Sequence, residues 1–424
     1  MTSSTRSRPP LASRRRGFLL GLGVAGASGV IGAVRADSLP DARILDEEDG
    51  TQDRIPFFGP HQAGVTTPQP AAALYASFDI LASDRSDLER LLRKLTARIA
   101  FLTQGGRAAT AAPLLPPPDS GVLGPLVFPD NLAMTVALGA AAFEESRYGL
   151  AKRRPRHLIR MEQFPNDALD PALCHGDLLL SISSNTAETN IHALRDIIKT
   201  MPDLLAIRWK FDGFLPPHTV KKQGRDTVRN LMGFKDGTAN LDTRDTQLMN
   251  QQVWVQPSAD EPDWTVGGTY QVVRMIRSLV ERWDRTPLNE QQQIFGRDKV
   301  EGAPLGSARE HDIPDYASDP DGKRIPLTAH MRLANPRRPD TDPSRILRRA
   351  YNYDRGLSNA GQLDMGLLFG CFQSNLSQGF LTVQARLNGE PLEEYIKPFG
   401  GGYFFVLPGV EHPGDFLGRA MLAA

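Results

Sequence analysis

The chain has 424 residues, 40% hydrophobic and 23% charged, with 49 basic and 49 acidic side chains. That suits a soluble globular protein of two domains, and the zero formal charge removes any global electrostatic case for nucleic acid or an anionic membrane. Only two cysteines occur, Cys174 and Cys371, which excludes a disulfide scaffold and any CxxC or Cys/His zinc spacing.

The charge is unevenly placed. Residues 1–36 hold Arg6, Arg8, Arg14, Arg15, Arg16 and Arg35 and no acid, so the remainder carries 43 basic against 49 acidic side chains, a net charge of −6. "SRRRGFLLGLGVAGASGVIGAVRA" reads as a basic n-region, an uncharged run from Gly17 to Val34 and a small-residue cleavage site at Val34-Arg35-Ala36. Arg15-Arg16, followed by Gly17 and then Phe18-Leu19, resembles a twin-arginine export signal. The run is short for a bilayer span and glycine-rich, which favours a cleaved signal over an anchor. Twin-arginine export carries folded proteins through its translocase, so it suits a periplasmic protein that takes up a cofactor before crossing.

Residues 37–70 are Pro- and Asp-rich and read as a linker and extended lead-in. "AALYASFDIL" (72–81) predicts a strand and "SDLERLLRKLTARIAFLT" (86–103) an amphipathic helix with Ser86 or Asp87 near its N-cap. A Pro- and Gly-rich loop follows, then a strand in "NLAMTVALGA". "GDLLLSISSNTAETNIHALRDIIKT" predicts strand, turn and helix, and "LAIRWKFDGFL" another strand. The same order returns later: "GGTYQVVRMIRSLVERWDR" repeats strand then helix, and "GLLFGCFQSNLSQGFLTVQARL" with "YFFVLPGV" repeats strand, helix, strand. Gly176–Asn185 aligned with Gly366–Asn375 matches at four positions in ten. The expectation is an α+β fold of two pseudo-repeated ferredoxin-like halves, 71–220 and 221–424, with mostly antiparallel sheets and peripheral helices. The boundary falls near 216–230.

"GFKDGTAN" (233–240) places an acid, Asp236, in a tight turn just past that boundary. It lacks the alternating oxygen ligands and terminal Glu of a calcium loop, and the Gly-rich run ending in Lys-Ser/Thr of a phosphate cradle. An ordinary Asp-Gly turn remains open at this point. None of the eight histidines forms an HxxxH or HxH pair, so a multi-histidine metal centre is not expected. One histidine suffices where a porphyrin supplies four ligands. His330 stands out because Arg332, Arg337, Arg338, Arg345, Arg348 and Arg349 all fall within twenty residues of it. "RILRRAYNYD" predicts a strand, in which alternation sends Arg348 and Arg349 to opposite faces. An arginine that points inward needs an anion.

In order and spacing, GFKDGTAN, AHMRLANPR, ILRRAYNY and QLDMGLLF closely resemble the dye-decolourising (DyP-type) haem peroxidases. More narrowly they resemble the exported deferrochelatase/peroxidase branch that accompanies bacterial ferrous-iron uptake. The resemblance runs from about residue 60 to the end. It implies one haem b per chain, bound in the C-terminal half, with His330 as proximal iron ligand. It further implies Asp236 as distal acid-base, Arg348 as distal arginine, and Asp364 as the acid holding the proximal imidazole. Gly237, Thr238 and Ala239 would contact the porphyrin edge, with Asn335, Pro336 and Arg337 on the propionate side. Some branches carry an asparagine two positions after the distal arginine; here that residue is Ala350. The implied activity is H₂O₂-dependent oxidation of bulky reductants together with removal of iron from haem. The alternatives are a non-catalytic haem or iron-binding protein and a ferrous-iron oxidase. Implied partners are the permease components of iron uptake and further copies of the chain.

Overall fold

The strand predicted at 72–81 forms as β1 (Ala72–Ile80). Its period of two sends Leu74, Ala76 and Phe78 to one face and Ala73 and Tyr75 to the other. Helix α1 (Arg85–Gln104) buries Leu88, Leu91, Leu92, Leu95, Ile99 and Leu102, a helical repeat, in one cluster with the first of those faces. The cap is Asp84, earlier than the predicted Ser86 or Asp87, because its side chain accepts the Asp87 N–H. Strands β2 (Ala133–Gly139) and β3 (Leu178–Ser184), helix α2 (Ala187–Thr200) and strand β4 (Leu205–Phe214) complete the first set. The computed structural model describes residues 50–217, 227–258 and 260–423. The export signal at 1–36, the start of the lead-in and most of the predicted boundary at 216–230 lie outside the described residues.

The second set comprises β5 (Thr269–Ser278), β6 (Tyr351–Leu357), β7 (Leu363–Gln373) and β8 (Ile396–Val406). The helix predicted after β5 within 267–285 is only a turn at Val280–Trp283, and a separate helix, α3 (Leu288–Phe295), follows it. Pro287 separates the two, since it has no N–H to continue a helix and serves instead as the N-cap of α3. Helix α4 (His330–Ala334) is a single turn, and α5 (Thr382–Leu387) follows a π-helical turn at Ser377–Leu381. "RILRRAYNYD" is interrupted: Leu347–Arg348 pairs with Phe372 and Cys371 of β7, and β6 begins only at Tyr351.

All strand pairs are antiparallel, and the eight long strands close into a ring, β5-β8-β2-β3-β1-β4-β6-β7 and back to β5. Each half contributes its second, third, first and fourth strands in that order, the ferredoxin-like arrangement occurring twice. The halves meet at two seams. One joins β2 to β8 over three pairs, from Ala137↔Val406 to Gly139↔Phe404, and the other joins β4 to β6 at Phe214↔Asn352. The ring interior is packed with Tyr75, Trp209, Phe211, Met275, Tyr353 and Phe404. Closure gives every long strand a neighbour on both sides, though the seam between β4 and β6 is a single pair. The described residues fall in one compact unit. Cys174 and Cys371 are both free and buried. Among the described residues no helix is long and apolar enough to cross a membrane.

Candidate active site

A cavity of about 290 Å³ lies against the outward residues of the second set of strands, where Arg274 and Ile276 of β5, Leu367 and Phe369 of β7 and Pro398 of β8 line it. That volume sits near the lower end of small-molecule pockets. Arg274 is fully buried and ion-paired with Asp167 of the N-terminal half, which ties the floor to that half.

The GFKDG turn forms one wall. Residues 233–236 fold back on 228–230: the Asp236 N–H donates to Val228 O (2.8 Å) and the Asn230 N–H to Phe234 O (3.0 Å). Gly233 (φ +88°) and Gly237 (φ +125°) hold backbone angles that L side chains rarely adopt, which explains both glycines of the motif. Phe234 is buried and stacks on Phe295 of α3 at 4.2 Å, anchoring the turn from below. Asp236 is thereby presented to the cavity, where Arg348 Nη1 donates to its Oδ1 at 2.7 Å. Arg348 is fixed by the last residue of the same motif. Asn240 donates from Nδ2 to Arg348 O (2.7 Å) and accepts the Arg348 N–H at Oδ1 (2.9 Å).

His330 opens α4 behind the fully buried Ala329, and its ring meets Phe295 edge-on at 6.0 Å. Its Nδ1 lies 2.8 and 2.9 Å from the two carboxylate oxygens of Glu390, whose side chain is only 3% exposed. Burial disfavours the charged imidazole, but the Glu390 carboxylate outweighs it and raises the His330 pKa. Asp236 and Arg348 are close enough for both charges to act on the same ring. A second cavity, about 50 Å³, meets the first at Asp236, Gly237 and Arg348.

These residues fit the haem that the resemblance implies. Nδ1 of His330 is engaged by a carboxylate, which leaves Nε2 as the ligating nitrogen. The apolar lining suits a macrocycle. Arg337 also lines the cavity, with a strained left-handed backbone (φ +57°) and a buried Nε that lacks a hydrogen-bond partner. A propionate is the kind of partner such an atom wants.

Of the residues named from sequence, Asp236, Gly237, Thr238, Ala239, His330, Asn335, Arg337 and Arg348 line one cavity. Pro336 does not line it. Asp364 is corrected: it does not touch His330, and Glu390 occupies the place expected for it. Asp364 instead accepts from Tyr353 Oη (3.3 Å) and lies 3.7 Å from Arg355. Strand parity is the reason, because Tyr353 packs inside the ring while Leu367 and Phe369 face the cavity from the other side of β7. Arg349, next to Arg348, turns away and is buried, donating to Thr67 O. Glu390, Asn240, Arg274 and Arg297 also belong to the site or its support and were not identified from sequence. Only Asn240 had a signal, as the closing residue of GFKDGTAN.

Two family descriptions match the chain, Dyp-type peroxidase, N-terminal, over residues 62–215 and Dyp-type peroxidase, C-terminal, over 227–411. A deferrochelatase of Escherichia coli strain 536 is 56% identical over 411 residues, 97% of each chain. Among solved structures, the DyP-type peroxidase from Cellulomonas bogoriensis superimposes with a TM-score of 0.79 at 34% identity, covering 88% of this chain and 99% of that one. An oxyferrous/water mixed complex of DtpA from Streptomyces lividans gives 0.78 at 31%, with the same coverage. With matches spanning nearly its whole described length, this chain belongs to the Dyp-type peroxidase family of haem-dependent enzymes.

Proposed function

We propose that the chain is a haem b peroxidase, one haem per chain, that uses H₂O₂ to oxidise bulky reductants and also releases iron from haem with the porphyrin intact. The observation that carries this reading is the sharing of one cavity by a carboxylate-backed imidazole, His330–Glu390, and a paired carboxylate and guanidinium, Asp236–Arg348. Haem, when bound, supplies the iron redox chemistry. His330 would hold the iron through Nε2, and Glu390 accepting from Nδ1–H would make that nitrogen a stronger donor. Asp236 would serve as the general acid-base that moves a proton between the oxygens of H₂O₂. Arg348 stabilises the charge that develops on the departing oxygen. The 50 Å³ cavity beside that pair has room for H₂O₂ and not for a dye, which suits separate sites for oxidant and reductant.

Iron release uses the same pocket differently. Replacing the metal in a porphyrin takes two protons delivered to pyrrole nitrogens, and Asp236 is the carboxylate placed to carry them. The deferrochelatases of Escherichia coli, 56% identical to this chain, support that second activity. The twin-arginine segment supports export to the periplasm. Components of an iron-uptake permease and further copies of the chain are the partners in this reading, and residues 71–220 and 221–424 its two domains.

Two measurements test it. Purified protein should show a Soret band whose position changes or whose intensity collapses in His330→Ala; retained ligation in that variant refutes the site. Incubation with haem should release protoporphyrin IX, read by its fluorescence, and no release refutes the second activity. A Soret band with no reaction toward peroxide would mark a haem carrier instead.

A further inference from the structure

Glu310 belongs to neither the sheet nor the wall of the cavity, yet its carboxylate gathers three donors. Thr227 Oγ1 donates to it at 2.5 Å, Thr238 Oγ1 at 2.8 Å and Lys235 Nζ at 2.5 Å. Lys235 and Thr238 lie on either side of Asp236 in the turn, and Thr227 immediately precedes the segment 228–230 on which the turn folds back. The carboxylate is 14% exposed, so these contacts form out of bulk water, where charge-assisted bonds are strong. Glu310 is itself held in place, because Arg297, a cavity-lining residue, donates to Glu310 O (3.0 Å) and Gly302 O (2.6 Å). Arg229 adds a parallel tie, donating to Gly233 O within the turn and to Lys299 O in the segment that leads to Glu310.

We infer that Glu310 is a positioning residue for the distal acid: by clasping Lys235 and Thr238 it fixes the turn that aims Asp236 at the reacting oxygen and at Arg348. It does not line the cavity, and acts through the turn. The inference rests on the proton-transfer role proposed for Asp236. The chemistry of the clasp dictates an unusual mutant pattern. In Glu310→Gln the amide can still accept from Lys235 and donate to the threonine hydroxyls, but the Lys235 ammonium loses its counter-charge out of bulk water, and that uncompensated charge is the conflict. Removing that ammonium as well should relieve the conflict.

The test compares haem-loaded wild type, Glu310→Gln, Lys235→Met/Glu310→Gln and Thr238→Val. Amide hydrogen exchange of residues 233–240 should accelerate in Glu310→Gln, while the Soret band stays in place. The rate of reaction with H₂O₂ should fall about tenfold to hundredfold, the scale set by small misplacements of a catalytic group. The double variant should recover part of both changes, a coupling that general destabilisation does not produce. Thr238→Val should show a smaller loss of the same kind if Glu310→Gln fails to fold. Unchanged exchange and rate in the variants overturn the inference, as does a loss that the second substitution does not relieve. Asp236→Asn is measured alongside: if it reacts at the wild-type rate, the role of Asp236 fails, whereas the exchange data still report whether Glu310 holds the turn.

Discussion

The two halves run the same four strands in the same spatial order and differ in what covers them. In the N-terminal half the connection from β1 to β2 begins with α1, a twenty-residue helix whose leucines seal the outer face of the sheet. In the C-terminal half the corresponding connection, from β5 to β6, begins with a turn and a short helix separated at Pro287 and later delivers His330 and Arg348. The sheet beneath is a packed core in the first case and the floor of a cavity in the second. One strand framework thus carries both solutions, and function resides in the irregular connection.

That contrast can be broken experimentally, starting with the acid of the cavity. Asp236→Asn should keep the haem and the fold but slow the reaction with H₂O₂ by about 10²–10⁴-fold in stopped-flow, the usual worth of a general acid-base. The N-terminal half should respond in the opposite currency. Leu92→Ala, at a fully buried position of α1, should cost about 2–5 kcal/mol in denaturant unfolding and leave the Soret position unchanged. An unfolding midpoint equal to wild type would mean that α1 does not seal a core. Glu390→Gln keeps the size of the side chain and removes its charge. It should weaken haem affinity or activity by about 10–100-fold, read by haem titration, and Asp364→Asn should do neither.

The smallest effect is a pH dependence. Burial alone would raise the Glu310 pKa, but Lys235, Thr227 and Thr238 outweigh it and hold the group at about 2, against an ordinary 4.5. Its folded-state pKa is depressed, so its contribution to stability is complete above about pH 4.5 and is lost as the pH falls towards 2. Lys235, Arg297 and, at 3.9 Å, His311 are the basic groups near it. The stability difference between wild type and Glu310→Gln should therefore be flat above pH 4.5 and shrink below it. A difference that grows on acidification would show that the clasp is not held by an ionised carboxylate.

How much of this was readable depends on whether the signal was local. The alternation of β1 and the leucine spacing of α1 are properties of single segments, and their bounds fell within a residue or two of expectation. His330, Asp236 and Arg348 each sit in a compact motif whose order could be matched. Glu390 could not be found this way. It stands sixty residues from His330 in "NGEPLEEY", beside two further acids, and its burial is a tertiary fact. Asp364 was misassigned because a motif match does not say which face of a strand a residue occupies. The β6–β7 register shifts between Leu363 and Met365, right at that residue. The break at Arg349–Ala350 was invisible for a related reason, since nothing in "RILRRAYNYD" forbids a continuous strand.

The closed ring also fixes an order of events in time. Strand β8, the last to leave the ribosome, is the one that bridges β5 and β2, and so it joins the two halves at the longer seam. Until it arrives, β2 and β5 each present an unpaired edge, and Ile396 and Pro398 are missing from the cavity. Pairings between strands so far apart in sequence also form slowly. The lining of the cavity is thus completed only by the last of the eight strands in chain order.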